Sequence, residues 1–302
     1  LLGKIPSPKI LLKALEEVKP NLIICVPLIL EKIYRKQILP MLNKRPLKWA
    51  LNVPLLDSRI YGQVRKKLVD AFGGRFEQVI VGGAPLNAEV EAFLHRIKFP
   101  FTVGYGMTEC GPLISYAPWE QSRATSCGKI VDRMQARIDS SDPENIVGEL
   151  HVKGDNVMLG YYKNNEATEN AFKDGWLNTG DLAVMDKDNF IYLKGRSKNM
   201  ILGPSGQNIY PEEIEGKLNN MPFVSESIVI EKEGKLIALV YPDFENAGKE
   251  NITQKNIEIQ MEENRIALNK ELPAYSQISQ INIHYEEFEK TPKRSIKRYL
   301  YQ

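Results

Sequence analysis

The sequence predicts an α/β protein. It should comprise a parallel sheet covered by helices, a small β subdomain attached to it, and a smaller α+β domain at the C-terminal end. Three observations carry this prediction. Short apolar runs at 21–26, 78–81 and 101–103 alternate with amphipathic helical stretches, the pattern of strands buried under helices. From about residue 116 to 195 the segments shorten into strands separated by turns. Beyond Gly195 the pattern changes again, to helix, hairpin, helix and strand.

Ser7-Pro8 is a helix start, a hydroxyl cap followed by proline at the first helical position. Ile10, Leu11, Ala14, Leu15 and Val18 follow at helical spacing, and Pro20 ends the run. Pro27 opens a second helix with Ile29, Leu30, Ile33 and Tyr34 on one side. Ile60, Val64, Leu68 and Phe72 recur every four residues until Gly73-Gly74. A helix over 87–97 precedes the strand at 101–103. In the β part, strands are expected at 135–138, 149–152, 182–185 and 190–193, with Asp186-Lys187-Asp188-Asn189 as a hairpin turn. Pro211-Glu212-Glu213 starts a helix with proline and acids in its first turn, as the helix dipole favours. A hairpin of 224–231 and 236–241 around Glu233-Gly234, a helix over 252–272 and a strand at 278–283 complete the unit. The domain boundary falls between Gly195 and Met200.

Length and composition narrow the function. At 302 residues, two domains are expected, and an apolar fraction of 43% is enough for a sizeable core. Forty Lys and Arg against 38 Asp and Glu leave a net charge of +2, without the basic excess of a nucleic-acid binder. Cys25, Cys110 and Cys127 are an odd count without a CxxC pair, which argues against a disulfide framework and for a reducing compartment. No apolar run is long enough to span a bilayer. The chain opens on Leu1-Leu2-Gly3-Lys4, without an initiator Met or a signal-peptide layout, and reads as a segment of a longer protein. His95, His151 and His284 lack metal-ligand spacing, and Asn251-Ile252-Thr253 matches a glycosylation sequon with nothing to suggest secretion.

Five segments could carry chemistry. Gly82-Gly83-Ala84-Pro85 follows a strand, where glycines let a ring or phosphate approach the backbone, or simply make a turn. Gly104-Tyr105-Gly106-Met107-Thr108-Glu109 offers a ring, a hydroxyl and a carboxylate at a sheet edge, the last able to hold Mg²⁺. Asn178-Thr179-Gly180-Asp181 reads as a glycine turn whose carboxylate could take two vicinal hydroxyls, or as an ordinary capped turn. Gly195-Arg196-Ser197-Lys198, with the stretch from Gly203 to Pro211, lies on the proposed boundary and suits a hinge or a linker. The tail carries Lys290, Lys293, Arg294, Lys297 and Arg298, by default a solvated charge run.

Taken in order, Gly82-Gly83-Ala84-Pro85-Leu86, Tyr105 to Glu109, Thr179-Gly180-Asp181, Gly195-Arg196, and Gly206 with Pro211 to Glu215 resemble the adenylate-forming (acyl-CoA synthetase, AMP-binding) superfamily over nearly the whole chain. Val26-Pro27 with Leu30 to Tyr34, Thr108 to Pro112, and Gly206 to Glu215 look like its long-chain fatty acid–CoA ligase branch. The resemblance implies that residues 1–195 are the C-terminal part of the large AMP-binding domain, an α/β layer to about 115 and a β subdomain from about 116. Residues 196–302 would be the mobile C-terminal lid domain.

The activity so implied is ATP-dependent formation of a fatty acyl-adenylate, then thioester formation with coenzyme A. Fatty acid, ATP, Mg²⁺ and CoA are the implied partners and cofactors, with no nucleic acid. Gly83, Ala84 and Tyr105 would line the adenine, with Gly106 beside them. Thr108 would contact the α-phosphate, Glu109 the metal, and Asp181, helped by Arg196, the ribose hydroxyls. Lys198 matches the hinge, and the loop holding Gly206 would help form the pantetheine passage. A cytoplasmic location is implied, with peripheral membrane contact compatible with a lipid-partitioning substrate.

Two departures stand out. The superfamily's Ser/Thr/Gly-rich phosphate loop, normally upstream, is not found, so the chain is expected to be a C-terminal piece that adenylates inefficiently alone. The catalytic lysine usually lies in Pro-Lys-x-x-x-Gly-Lys. Here Pro292-Lys293-Arg294-Ser295-Ile296-Lys297-Arg298 nominates Lys297 by spacing from Pro292, while aligning the terminal Lys-x-x-Arg would put Ser295 there. Competing readings are an acyl-AMP ligase that loads a carrier protein, and a non-catalytic module binding nucleotide or acyl chains.

Overall fold

The structure is a computed structural model that describes residues 8–44, 50, 51, 53, 56–204, 206–249, 252–291 and 295–302. Ser7, Asn251 and Pro292 to Arg294 lie outside the described residues. Two compact units form. The first comprises Leu1–Arg137, His151–Leu177 and Met185–Tyr192, the second Ile138–Leu150, Asn178–Val184 and Leu193–Gln302.

The first unit is built on a parallel sheet of β1 (Leu22–Cys25), β2 (Gln78–Val81) and β3 (Phe101–Val103). The apolar runs expected as strands are strands, but β1 is not the buried strand expected: Leu22 and Ile24 are exposed and Ile23 alone is buried. Helices Pro8–Val18, Pro27–Ile33, Leu56–Ala71 and Ala88–Arg96 accompany them. The Pro27 helix continues through a π-turn, Tyr34–Ile38, into Leu39–Leu42. The Leu56 helix buries Val64 and Leu68 and stops at Gly73 and Gly74, both at positive φ. Asn87 caps the Ala88 helix, its Oδ1 accepting from the backbone of Glu89 at 3.0 Å and Val90 at 3.3 Å. Leu30, Phe72, Val79, Val81, Phe99 and Phe101 make the buried centre. Ile10 and Val18, assigned by spacing to an apolar helix face, are exposed.

Strands β4 (Tyr105–Gly106), β5 (Leu113–Tyr116) and β6 (Lys129–Ile130) form an antiparallel sheet. A further sheet contains β7 (Met134–Asp139), β8 (Gly148–Gly154), β9 (Phe172–Lys173), β10 (Trp176–Met185) and β11 (Ile191–Arg196), in the path β11-β10-β8-β7 with β9 on β10. Strand β10 begins well before residue 182, so Asn178 to Asp181 lie within a strand rather than in a turn. The side-chain hydrogen bonding that favours turns is used here across strands instead. The Thr179 hydroxyl donates to the Leu150 carbonyl at 2.9 Å, and Gly180 takes φ +69 to kink the strand.

In the second unit β12 (Ile201–Leu202) and β13 (Asn208–Ile209) make a short antiparallel pair. β14 (Val224–Lys232) and β15 (Lys235–Pro242) form the expected hairpin, with Glu233 and Gly234 both at positive φ in its turn. β16 (Gln280–Ile283) joins β15 in parallel. Helices Pro211–Leu218, Phe244–Lys249 and Gln254–Glu271 bring Ile214, Leu218, Ala247, Met261 and Leu268 into a core with Ala238 and Val240.

Of the described tail cations, Lys290 and Arg298 depart from the expected solvated charge run. Arg298 is half-buried against the buried Glu215, with a 2.5 Å ion pair and a 3.0 Å bond to the Val229 carbonyl, and Lys290 pairs with Glu226 at 2.8 Å. Both cations meet acids that folding brings from distant positions in the chain, which a local charge count does not register. No described helix is long and apolar enough to cross a membrane.

Candidate functional site

Register places the first two motifs at one end of the parallel sheet. Val81 pairs with Cys25 on one side and Val103 on the other, so 82–85 and 104–109 leave neighbouring strands at their carboxyl ends. Gly82 N donates to the Cys25 carbonyl at 3.0 Å and Gly104 N to the Val81 carbonyl at 2.9 Å. Gly83, at φ +86, and Ala84 are exposed. Tyr105 is half-buried on β4, opposite Ser115. Gly106 is dictated by packing, since a Cβ there would stand 2.1 Å from the Pro112 carbonyl oxygen.

Thr108 to Cys110 form one 3-10 turn, closed by Gly111 in the left-handed region. The segment 156–161 braces it. Asn156 Nδ2 donates to the carbonyls of Cys110 at 2.5 Å and Leu113 at 2.9 Å, and Met158 N to the Glu109 carbonyl at 2.7 Å. The Tyr161 hydroxyl donates to the Glu109 carboxylate at 3.0 Å. Burial, then the Glu109 carboxylate, hold the Tyr161 phenol above its usual range. The exposed Thr108 hydroxyl and the half-buried Glu109 carboxylate are thus presented on a fixed turn. Burial, then the charge of Glu109, push the Cys110 thiol up to about 11, so it is no nucleophile at neutral pH. Among the described residues no group of three or more His, Cys, Asp or Glu could hold a metal ion. Glu109 offers hard oxygen donors suited to Mg²⁺, which commonly takes one or two carboxylates and completes its shell with water and substrate phosphate.

In the second unit Asp181 and Arg196 form a pair. Arg196 Nε stands 2.9 Å from Asp181 Oδ1, and its Nη1 donates to the Thr179 carbonyl at 3.0 Å. Asp181 is buried, while the Arg196 side chain is half exposed. The Thr179 hydroxyl accepts from Asp181 N at 3.1 Å, and Asn178 Oδ1 accepts from Gly180 N at 2.8 Å. Glu149 on β8 holds both flanks of the pair. Its Oε2 accepts from Asn178 Nδ2 at 3.0 Å and its Oε1 from the Ser197 hydroxyl.

Lys198 is exposed in the 3-10 turn Ser197–Asn199, whose last residue bonds Glu212 at 2.6 Å. A Cβ at Gly195 would stand 2.7 Å from Glu212 Oε2. Gly206 lies in the turn between β12 and β13, where its N–H meets the Gly203 carbonyl at 2.9 Å. Lys297 is tied to Glu289 at 3.0 Å, and that hydrogen bond holds its ammonium above the usual lysine range. The described contacts therefore bring Asp181 and Arg196 together, and Tyr105, Gly106, Thr108 and Glu109 on one run. Gly206 and Lys297 are held by Gly203 and Glu289 respectively.

Residues 2–162, more than half of the chain, match the AMP-binding enzyme family, and residues 198–301 match the AMP-binding enzyme C-terminal domain. The chain belongs to the AMP-binding enzyme family. It is 29% identical over 246 residues to the long-chain-fatty-acid–CoA ligase FadD15 of Mycobacterium bovis, covering 74% of this chain and 39% of that protein. It is 43% identical over 140 residues to a long-chain-fatty-acid–CoA ligase of Salmonella typhimurium, covering 44% of this chain and 25% of that one. Its fold matches o-succinylbenzoate CoA synthetase of Bacillus subtilis, solved with an acyl-adenylate intermediate, at a TM-score of 0.71 and 22% identity over 98% of this chain and 54% of that one. The fold is thus that of the adenylate-forming enzymes, and the chain spans less than two thirds of the length of these relatives.

Within this AMP-binding enzyme, Glu149 and the brace 156–161 are the elements that motif reading misses. Glu149 carries no sequence signal, because only the fold shows it between buried Gly148 and Leu150, where a charge needs partners. Tyr161 carries no local signal, because its partner lies 52 residues away in sequence.

Proposed function

We propose that the chain takes part in ATP-dependent activation of a long-chain fatty acid as an acyl-adenylate, followed by transfer of the acyl group to coenzyme A. The observation that carries this reading is the braced turn bearing Thr108 and Glu109 beyond the carboxyl end of the parallel sheet, in a chain of the AMP-binding family. The names of the fatty-acid ligases it resembles support the substrate class.

Roles follow residue by residue. Gly83, Ala84 and Tyr105 face the adenine, and Gly106 keeps the backbone low beside it. Thr108 donates its hydroxyl to the α-phosphate. The Glu109 carboxylate, oriented by Tyr161, is a ligand for Mg²⁺, which when bound neutralises charge on the triphosphate. Asp181 accepts hydrogen bonds from the ribose hydroxyls while Arg196 keeps its carboxylate ionised and aimed. Lys198 is the hinge, Gly206 part of the pantetheine loop, and Lys297 the catalytic lysine. In the conformation described Lys297 is held by Glu289, so its use in chemistry requires that pair to open. Residues 1–195 serve as the large-domain portion and 196–302 as the lid, acting in the cytoplasm.

The test is to supply ATP, Mg²⁺, palmitate and CoA and identify products by mass spectrometry. Fatty-acid-dependent AMP and palmitoyl-CoA are expected, even at low turnover, and loss of both in Glu109→Ala. Acyl-adenylate without thioester would move the assignment to a carrier-protein ligase. No fatty-acid-dependent AMP would contradict it.

A further inference from the structure

We propose that Glu149 is a positioning residue for ribose recognition, fixing from β8 the geometry of both Asp181 and Arg196. This rests on the reading that Asp181 takes the ribose hydroxyls. One carboxylate reaches two points of the chain that flank the pair. Through Oε2 it holds Asn178, whose other amide atom accepts from Gly180 N and so sets the kink at φ +69 from which Asp181 departs. Through Oε1 it holds Ser197, the residue directly after Arg196. Leu150, next to Glu149 on β8, takes the Thr179 hydroxyl through its carbonyl, so the strand grips the kink at two successive residues.

The two arms do different work. Without the Asn178 arm, the kink keeps its Thr179–Leu150 bond but loses the link that runs from Glu149 through Asn178 to the Gly180 N–H, and the direction of Asp181 is fixed less tightly. Without the Ser197 arm, the chain following Arg196 loses its tie to β8 and is held through Asn199 and Glu212 instead, which loosens the guanidinium on Asp181. A carboxylate accepts at both ends. Glutamine keeps the connectivity, accepting from Asn178 with its oxygen and donating to the Ser197 oxygen with its amide, because a hydroxyl can do either. Alanine loses both arms. Position and charge are therefore separable at this residue.

The experiment is calorimetric titration of the 302-residue chain with a non-hydrolysable acyl-adenylate mimic and with its 2′,3′-dideoxy counterpart. The readout is the ratio of the two affinities. The native chain should prefer the hydroxyl-bearing mimic, and D181A should abolish the preference. E149A should cut it about tenfold, the scale of one or two net hydrogen bonds, while leaving dideoxy affinity within about twofold. E149Q should keep most of the preference. If E149A weakens both ligands equally, or keeps the native ratio while D181A loses it, the positioning role is overturned and the reading of Asp181 stands. If the native chain does not discriminate, the reading of Asp181 fails and the inference fails with it.

Discussion

At the scale of single residues, geometry makes sharp demands. Replacing Gly106 by Ala drives a methyl into the Pro112 carbonyl, and both are backbone-held. The expected cost is about 1–3 kcal/mol in urea unfolding, with weaker nucleotide binding because the following turn carries Thr108 and Glu109. A variant as stable as the native chain would show that the backbone yields there. The thiols give a pH prediction. Burial raises Cys25 from 9.0 to about 11, and burial with the Glu109 charge raises Cys110 by the same amount. A raised folded pKa contributes stability that is complete below the unfolded value and is lost as pH climbs through the folded one. Stability should therefore decline between about pH 9 and about 11, and Cys110→Ala should flatten part of that decline in thermal melts. An unchanged slope would show that Cys110 does not contribute to the alkaline decline.

At the scale of elements, two ion-pair devices stand out. In the turn between β10 and β11 the Arg123 guanidinium spans Asp186 at 2.6 Å and Asp188 at 2.5 Å and lies over the Phe190 ring at 4.0 Å. Partial burial raises the Asp186 carboxyl, but bonds from Phe190 N, Asp188 N, Tyr192 and Arg123 outweigh it and leave the pKa lowered. Stability from that group is present above the unfolded carboxyl pKa and is lost as pH falls through the folded one. Asp186→Asn should thus lower the melting temperature at neutral pH, with the difference closing in acid. A gap that persists in acid would contradict the ionic origin. The second device is Arg298 with Glu215. Burial pushes the Glu215 carboxyl up, against the pull of Arg298 and Val229 N. Arg298→Ala strands a buried acid and should cost about 3–5 kcal/mol, whereas a joint change to Glu215→Leu and Arg298→Met should recover most of it. Equal losses in both variants would show that packing, not the unpaired charge, dominates.

These elements also show what the sequence makes legible. Strands β1, β2 and β3 and the helices between them follow from local apolar periodicity and from Pro, Asn and Gly punctuation, so they are readable residue by residue. The Asn178 to Asp181 stretch is not, because its turn-like composition is satisfied by β8, about thirty positions away. The motif residues 82–84, 104–109, 181 and 196 could be nominated from their order along the chain. Their supports, Glu149, Asn156 and Tyr161, could not, since each acts through a partner that only folding supplies.

At the scale of the whole molecule, each unit carries one group of nominated residues: the glycine turns with Thr108 and Glu109 in the first, Asp181 with Arg196 in the second. The central proposal is that each group, taken by itself, contributes to binding an acyl-adenylate. Calorimetric titration with a non-hydrolysable acyl-adenylate mimic, on the native chain, Thr108→Ala and Asp181→Ala, tests it most directly. The expected result is binding that each substitution weakens by about 1–3 kcal/mol, the value of a hydrogen bond to a charged group. Binding that is indifferent to both substitutions would contradict it.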